Sequence, residues 1–200
     1  NSKIKVYKKC KVGILPTGSE IVEDVSQMEK GKIIDSNSRM FEGLIKEQGH
    51  IANRYKPVKD DYNLLRDRIS KAVEENDVLL IGAGSSAGNK DYTKAIVEEL
   101  GEIVIHGVAI KPGYPVSSYL AFSIFIDPLL RRFLGLEEED HSFVKAISSN
   151  KISSSLKHQE LVRISLGFVK DKLIATPLYS GAGVSMSLVK ADGIGSIPQR

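Results

Sequence analysis

Over its first 135 residues the chain alternates short apolar runs with segments of helical periodicity, a pattern that fits a parallel sheet with helices on both faces. Residues 10–15 are apolar and end at Pro16-Thr17-Gly18, a strand feeding a turn. Asp35-Ser36-Asn37 supplies N-cap chemistry for a helix carrying Met40, Phe41, Leu44 and Ile45, which Gly49 closes. Residues 51–58 read as a second strand. Asp60-Asp61 caps a helix with Leu64, Leu65, Ile69, Ala72 and Val73 at helical spacing. Val78-Leu79-Leu80-Ile81, between Asp77 and Gly82, has the composition of a strand covered on both faces. A Gly/Ser loop then leads to a helix from Tyr92 to Leu100, closed by Gly101. Residues 103–110 read as a fourth strand of the same sheet, and residues 116–134 as one long helix ending at Gly135.

After Glu137-Glu138-Glu139-Asp140 the segments become short and extended: residues 144–147, 160–169, 172–177 and 185–191, with Asp171-Lys172 in hairpin position. This predicts a small β-barrel-like domain of about 55 residues, too small to be robust alone. It has no evident closing strand before Pro198-Gln199-Arg200. The fold class expected is therefore α/β, a three-layer domain over residues 10–136 followed by a β domain over residues 144–200, taken as incomplete. Residues 137–143 join the two, and residues 1–9 are read as a linker. The polar start Asn1-Ser2-Lys3 suggests a fragment.

Composition narrows the partners. A net charge of +3, with basic residues scattered, gives no electrostatic footprint for nucleic acid. Cys10 is the only cysteine, so no internal disulfide can form and a reducing, cytoplasmic setting is expected. No apolar stretch approaches the roughly 20 residues of a membrane-spanning helix. The histidines His50, His106, His141 and His158 lack metal-ligand spacing, which argues against zinc.

In an open parallel sheet, ligands bind beyond the carboxyl ends of the strands. The loop from Gly82 to Tyr92 lies at such an end. Gly82, Gly84 and Gly88 allow close backbone approach, Ser85 and Ser86 offer hydroxyls, and amides at the following helix start favour an anion. It lacks a P-loop's lysine-serine ending and has the wrong glycine spacing for a dinucleotide fingerprint. Asp91 suits a divalent cation bridged to phosphate or oxyanion oxygens, but it equally suits a helix N-cap. The same two readings apply to Asp60, Asp61 and Glu20, all expected at one sheet edge. Ser36 and Asn37 offer a hydroxyl and an amide, and Lys111, before Pro112-Gly113, offers a cation.

Pro16-Thr17-Gly18-Ser19-Glu20-Ile21-Val22, Asp35-Ser36-Asn37-Ser38, the Gly82–Tyr92 loop and Ala109-Ile110-Lys111-Pro112-Gly113 follow one another as in the molybdopterin-binding domain. That domain is shared by molybdopterin molybdenumtransferases, related adenylyltransferases and the gephyrin E domain. The stretch from Glu160-Leu161-Val162-Arg163 through Ser187-Leu188-Val189-Lys190-Ala191-Asp192-Gly193 resembles the β domain that follows it in the molybdenumtransferases, which the adenylyltransferases lack. The resemblance implies insertion of molybdate into adenylylated molybdopterin with a divalent cation such as Mg2+, and release of AMP. It also implies a homodimer in the full-length protein, an adenylyltransferase as upstream partner, and two further N-terminal domains. Carried over by position, Asp91, Glu20, Asp60 and Asp61 match acidic residues of the family site. Asp91 and Glu20 are assigned to metal or molybdate. Thr17, Gly18, Ser36, Asn37, Gly82, Gly84, Ser85, Ser86, Gly88, Lys111, Pro112, Gly113 and Pro115 are assigned to pterin, phosphate or oxyanion binding. The same domain used as an adenylyltransferase, or as a non-catalytic pterin- or molybdate-binding module in regulation or scaffolding, is the alternative.

Three departures stand out. Ser19 occupies a position where the family usually has aspartate. Gly82-Ala83-Gly84 replaces the usual Ser-Gly-Gly, a variation associated with a subgroup fused to periplasmic-binding-like domains. Gly113 runs straight into Tyr114-Pro115, where the family carries a further strand's worth of residues. Loss of an inner strand would leave its neighbours' backbone groups unpaired, so a segment is expected to be missing at that junction.

Overall fold

A computed structural model describes residues 3–82, 92–108, 110–111, 116–137, 142–152, 158–178 and 186–198. The chain divides into two compact units, one built from residues 1–104 and 126–138, the other from residues 105–125 and 139–200.

The first unit is built on β1 (Lys11–Pro16), the middle strand of a three-stranded parallel sheet. After β1 come the short strands β2 (Ile21–Val22) and β3 (Ile33–Ile34), which pair with each other in parallel. Helix α1 (Asn37–Glu47), strand β4 (Ile51–Arg54), helix α2 (Tyr62–Glu75), strand β5 (Val78–Gly82) and helix α3 (Tyr92–Leu100) follow. β1 lies between β4 and β5, with Ile14 opposite Arg54 on one side and Leu80 on the other. Alternation along β1 sends Leu15 to one face and Val12 and Ile14 to the other. Leu15 packs with Leu65 and Ile69 of α2 and Ile96 of α3, all buried. Glu99 ties α3 to α2, accepting from Tyr62 Oη and Arg66 Nε, each at 2.6 Å. α1 packs on β1 and β4, and its Glu42 meets Arg54, so it covers the Ile14 face. Helix, sheet and helices make the three layers expected.

His50 has a structural role. Its Nδ1 accepts the Cys10 amide at 3.0 Å, and its Nε2 lies 3.0 Å from the Leu130 carbonyl. One ring thereby joins the start of β1 to the later helix that carries Leu130. Gln48, just past α1, bonds Asp127 of that same helix.

Residues 102–108 form no strand, contrary to the sequence reading. Val104 and Ile105 are 85% and 75% exposed, apolar but without a neighbour to pair with. The next strand among the described residues, β6 (Ile110–Lys111), pairs in parallel with a strand of the second unit. The helical run expected at residues 116–134 is present as α4 (Val116–Ala121), a π-helical stretch (Phe122–Ile126) and α5 (Asp127–Phe133). Pro128 has no amide to give the α-helical ladder, which accounts for the break.

The second unit holds β7 (Ile147–Ser148), β8 (Gln159–Val169), β9 (Lys172–Pro177), α6 (Met186–Val189) and β10 (Gly193–Ile197). They pair in the order β10-β8-β9-β7, with β6 also on β8. The β8–β9 hairpin turns at Lys170-Asp171, with Lys170 at φ 54°. Two details depart from the sequence reading. Residues 186–189, read as extended, form a helical turn, and a strand does follow, at Gly193–Ile197. Gly193 and Gly195 disguise that strand. It is held by a regular antiparallel ladder to β8, with Gly193 opposite Ile164 and Gly195 opposite Val162.

Candidate functional site

The carboxyl ends of β1, β4 and β5 converge on Thr17. Its amide donates to the Gly82 carbonyl at 2.7 Å and its hydroxyl donates to the same oxygen at 2.9 Å. Thr17 is 3% exposed, so its hydroxyl closes the β1–β5 edge. On the other side Thr17 bridges Val58, and the Gly18 amide donates to the Val58 carbonyl at 3.0 Å. Gly18 then turns the chain with φ at 138°, and Glu20 folds over it: a Cβ on Gly18 would stand 2.8 Å from Glu20 Oε2. A side chain here would collide with the one carboxylate of this loop.

The two acids after β4 separate in role. Asp60 Oδ2 accepts the Ser19 amide at 3.0 Å, while Ser19 Oγ accepts the Asp60 amide at 3.1 Å. Asp61 is the N-cap of α2, accepting the Leu64 amide at 3.0 Å. Lys32 Nζ donates to the Ser19 carbonyl at 2.9 Å.

Beyond Glu20 the chain returns through β2 and β3 to Asp35. Asp35 is buried, accepts the Ser38 amide at 3.0 Å, and also bonds the Ser38 hydroxyl. The capping expected of Asp35-Ser36-Asn37 therefore falls to Asp35. Ser36 makes no side-chain cap bond and is exposed, whereas Asn37 is half-buried.

The structure thus brings Thr17, Gly18, Glu20, Asp60, Asp61 and Gly82 to one sheet edge. The loop residues Gly84, Ser85, Ser86, Gly88 and Asp91 lie outside the described residues, as do Pro112, Gly113, Pro115 and the Gly113-Tyr114 junction. Lys111 sits in β6, opposite Glu160. Among the described residues, no group of three His, Cys, Asp or Glu side chains is placed to hold a metal ion. An open cleft of about 730 Å³ is lined by Lys11, Asn53, Arg54, Tyr55, Glu74 and Glu75. Its described lining includes none of Thr17, Gly18, Glu20, Asp60, Asp61 or Gly82, and the hydrogen-bond chemistry of the sheet edge marks the better site.

Sequence reasoning missed Arg54. Its Nη1 lies 3.4 Å from Glu23 Oε1 and 4.0 Å from Asp35 Oδ2, and its Nε lies 3.2 Å from Glu42 Oε2. Glu42 also accepts from Lys46 at 2.6 Å, and that bond, helped by the Arg54 charge, holds its carboxyl below the usual carboxylate range. The one available signal was an arginine within a short strand.

Residues 13–174 match the family model described as "Probable molybdopterin binding domain". The chain belongs to this family. A molybdopterin biosynthesis protein of Methanocaldococcus jannaschii is 36% identical to it, over 98% of this chain and 53% of that protein. A molybdopterin molybdenumtransferase of Nostoc sp. is 30% identical, over 83% of this chain and 43% of its own length. Two crystal structures of the molybdopterin biosynthesis MoeA protein of Pyrococcus horikoshii superpose with TM-scores of 0.79 and 0.73, at 31% and 28% identity. Each match covers 96% of this chain and half, or 49%, of the other. The chain therefore spans about half the length of the curated relatives it matches. The alignment with the M. jannaschii protein runs over 228 positions, more than the 200 residues here, so that relative carries residues with no counterpart in this chain.

Proposed function

We propose that this chain is the core of a molybdopterin molybdenumtransferase acting in molybdenum cofactor biosynthesis. The full-length protein takes adenylylated molybdopterin and molybdate, places molybdenum on the dithiolene and releases AMP. The observation that carries this reading is the clustering of Thr17, Gly18, Glu20, Asp60 and Gly82 at the carboxyl edge of one parallel sheet, where such folds bind ligands. The relatives named molybdenumtransferase support the reaction type.

The work asked of these residues is positioning and charge management, since an oxyanion must meet two sulfurs while a phosphoanhydride is cleaved. Glu20 is held over the Gly18 turn, at the mouth of the edge. Its carboxylate is a hard oxygen donor suited to Mg2+, and Asp91 would be the second. The ion would neutralise charge on the phosphate being cleaved. Asp60 fixes the β1 loop through Ser19 and keeps a second acid beside it. The backbone of residues 82–88 would take the pterin phosphate, with Ser85 and Ser86 adding hydroxyls, and Ser36 and Asn37 standing at the start of α1. Lys111, Pro112, Gly113 and Pro115 are proposed, from the resemblance alone, as further phosphate- or oxyanion-binding residues.

The full-length protein would act as a homodimer in the cytoplasm, supplied by an adenylyltransferase. Among the described residues, no helix is long and apolar enough to cross a membrane.

The test is turnover by the full-length protein with adenylylated molybdopterin, molybdate and Mg2+, following AMP. Molybdate-dependent AMP release that is lost in Asp91→Ala is the expected result. Tight pterin binding without AMP release would instead show a regulatory binding module, and consumption of ATP with free molybdopterin would show an adenylyltransferase.

A further inference from the structure

Arg54 stands on β4, opposite Ile14 of the central strand, with a side chain only 21% exposed. Its guanidinium faces three carboxylates from three different segments: Glu23 after β2, Asp35 at the β3–α1 junction, and Glu42 on α1. Asp35 is nearly inaccessible, and both its oxygens are engaged with Ser38, fixing the first turn of α1. Ser36 and Asn37 lie between these two anchors. The segment is also tied to the Glu20 loop, because the Asp35 amide donates to the Val22 carbonyl and the Ile33 amide donates to the Glu20 carbonyl, each at 2.9 Å.

We infer that Arg54 is a positioning residue for the pterin substrate, setting through Asp35 where Ser36 and Asn37 stand relative to Glu20. This rests on the molybdenumtransferase reading. With Arg54 in place, the acids Glu23, Asp35 and Glu42 share a planar cation that faces Glu23 and Asp35 with Nη1 and Glu42 with Nε, a spread that one lysine ammonium reproduces poorly. Without it, three carboxylates are left facing one another with Lys46 as the cation bonded to Glu42. Their repulsion then drives the start of α1 away from the β2–β3 segment.

The experiment compares Arg54→Met, Arg54→Lys and Glu42→Gln in the full-length protein, measuring KM and kcat for adenylylated molybdopterin, KM for molybdate, and thermal midpoint. Glu42→Gln removes a charge from the cluster without touching Asp35. The expected result is a rise of about tenfold in KM for the pterin substrate in Arg54→Met, with molybdate KM within about twofold of wild type. Arg54→Lys should fall between, and Glu42→Gln should lower the midpoint with KM unchanged. Should Arg54→Met fail to fold, the KM of Arg54→Lys decides. Lower midpoints with unchanged pterin KM in both arginine variants overturn the inference and leave the functional reading intact. A wild-type protein without molybdate-dependent AMP release overturns the functional reading, and this inference with it.

Discussion

Ser19 and Asp60 hold each other through two hydrogen bonds of opposite sense, from the Ser19 amide to Asp60 Oδ2 at 3.0 Å and from the Asp60 amide to Ser19 Oγ at 3.1 Å. The pair staples the loop after β1 to the loop after β4. Both residues are exposed, so Ser19→Ala should cost only about 0.5–1 kcal/mol in urea unfolding. Asp60→Asn keeps an oxygen for the Ser19 amide and should change stability by less than about 0.5 kcal/mol. Its loss of charge should lower AMP release about tenfold. Equal loss of stability and turnover in both variants would make Asp60 purely a staple.

Asp61 caps α2 at the Leu64 amide. Asp61→Ala should destabilise the first unit by about 1 kcal/mol, and Asp61→Ser should recover most of that. Turnover per folded molecule should match wild type in both. A drop in kcat for Asp61→Ser, at unchanged stability, would return this residue to the reacting site.

The His50 side chain should be costly to remove, because its ring satisfies a buried amide from Cys10 and faces the Leu130 carbonyl. His50→Ala should lower stability by about 3 kcal/mol, combining an unpaired donor with a cavity. Equilibrium unfolding gives the number, and a loss below about 1 kcal/mol would mean that water replaces the ring.

How much of this was legible in the sequence depended on how local the cause was. Strand β1, helices α1 and α2, and the caps at Asp35 and Asp61 are written in periodicity and short-range chemistry, and each is found where the residues indicate. Residues 103–108 mislead, since β-branched apolar residues describe a strand only where a neighbour exists to pair with it. β10 is hidden for the opposite reason: its glycines lower strand propensity, while β8 supplies the pairing. Arg54 and His50 act through partners far away in sequence, Glu23 and Leu130 among them, so no motif announces either one. Of the site, the β1 and β4 loops were readable because turn residues and acids share short stretches there.

Acid should weaken the first unit partly through Asp77. The Lys11 amide bonded to its carboxylate, at 2.8 Å, and the nearby Lys8 charge hold its carboxyl below the usual range. A carboxyl lowered on folding adds stability above its unfolded pKa, about 4, and loses it as pH falls through the lower folded value. Asp77→Asn should therefore show a shallower fall in urea midpoint below about pH 4 than wild type. Parallel pH profiles for the two proteins would show that Asp77 is not linked to folding.

Because β1 is paired in parallel on both flanks, each partner must arrive through a crossover rather than a tight turn. Its partner β4 begins at Ile51 and its partner β5 ends at Gly82, so 71 residues after Lys11 must be delivered before the sheet is complete. The β8–β9 hairpin, by contrast, needs only the turn at Lys170-Asp171. Loop closure of this span should slow formation of the β4-β1-β5 sheet relative to that hairpin. The sheet that carries the acids and Gly82 is thus begun early in synthesis but closed late, and its edges are exposed to a chaperone for that interval.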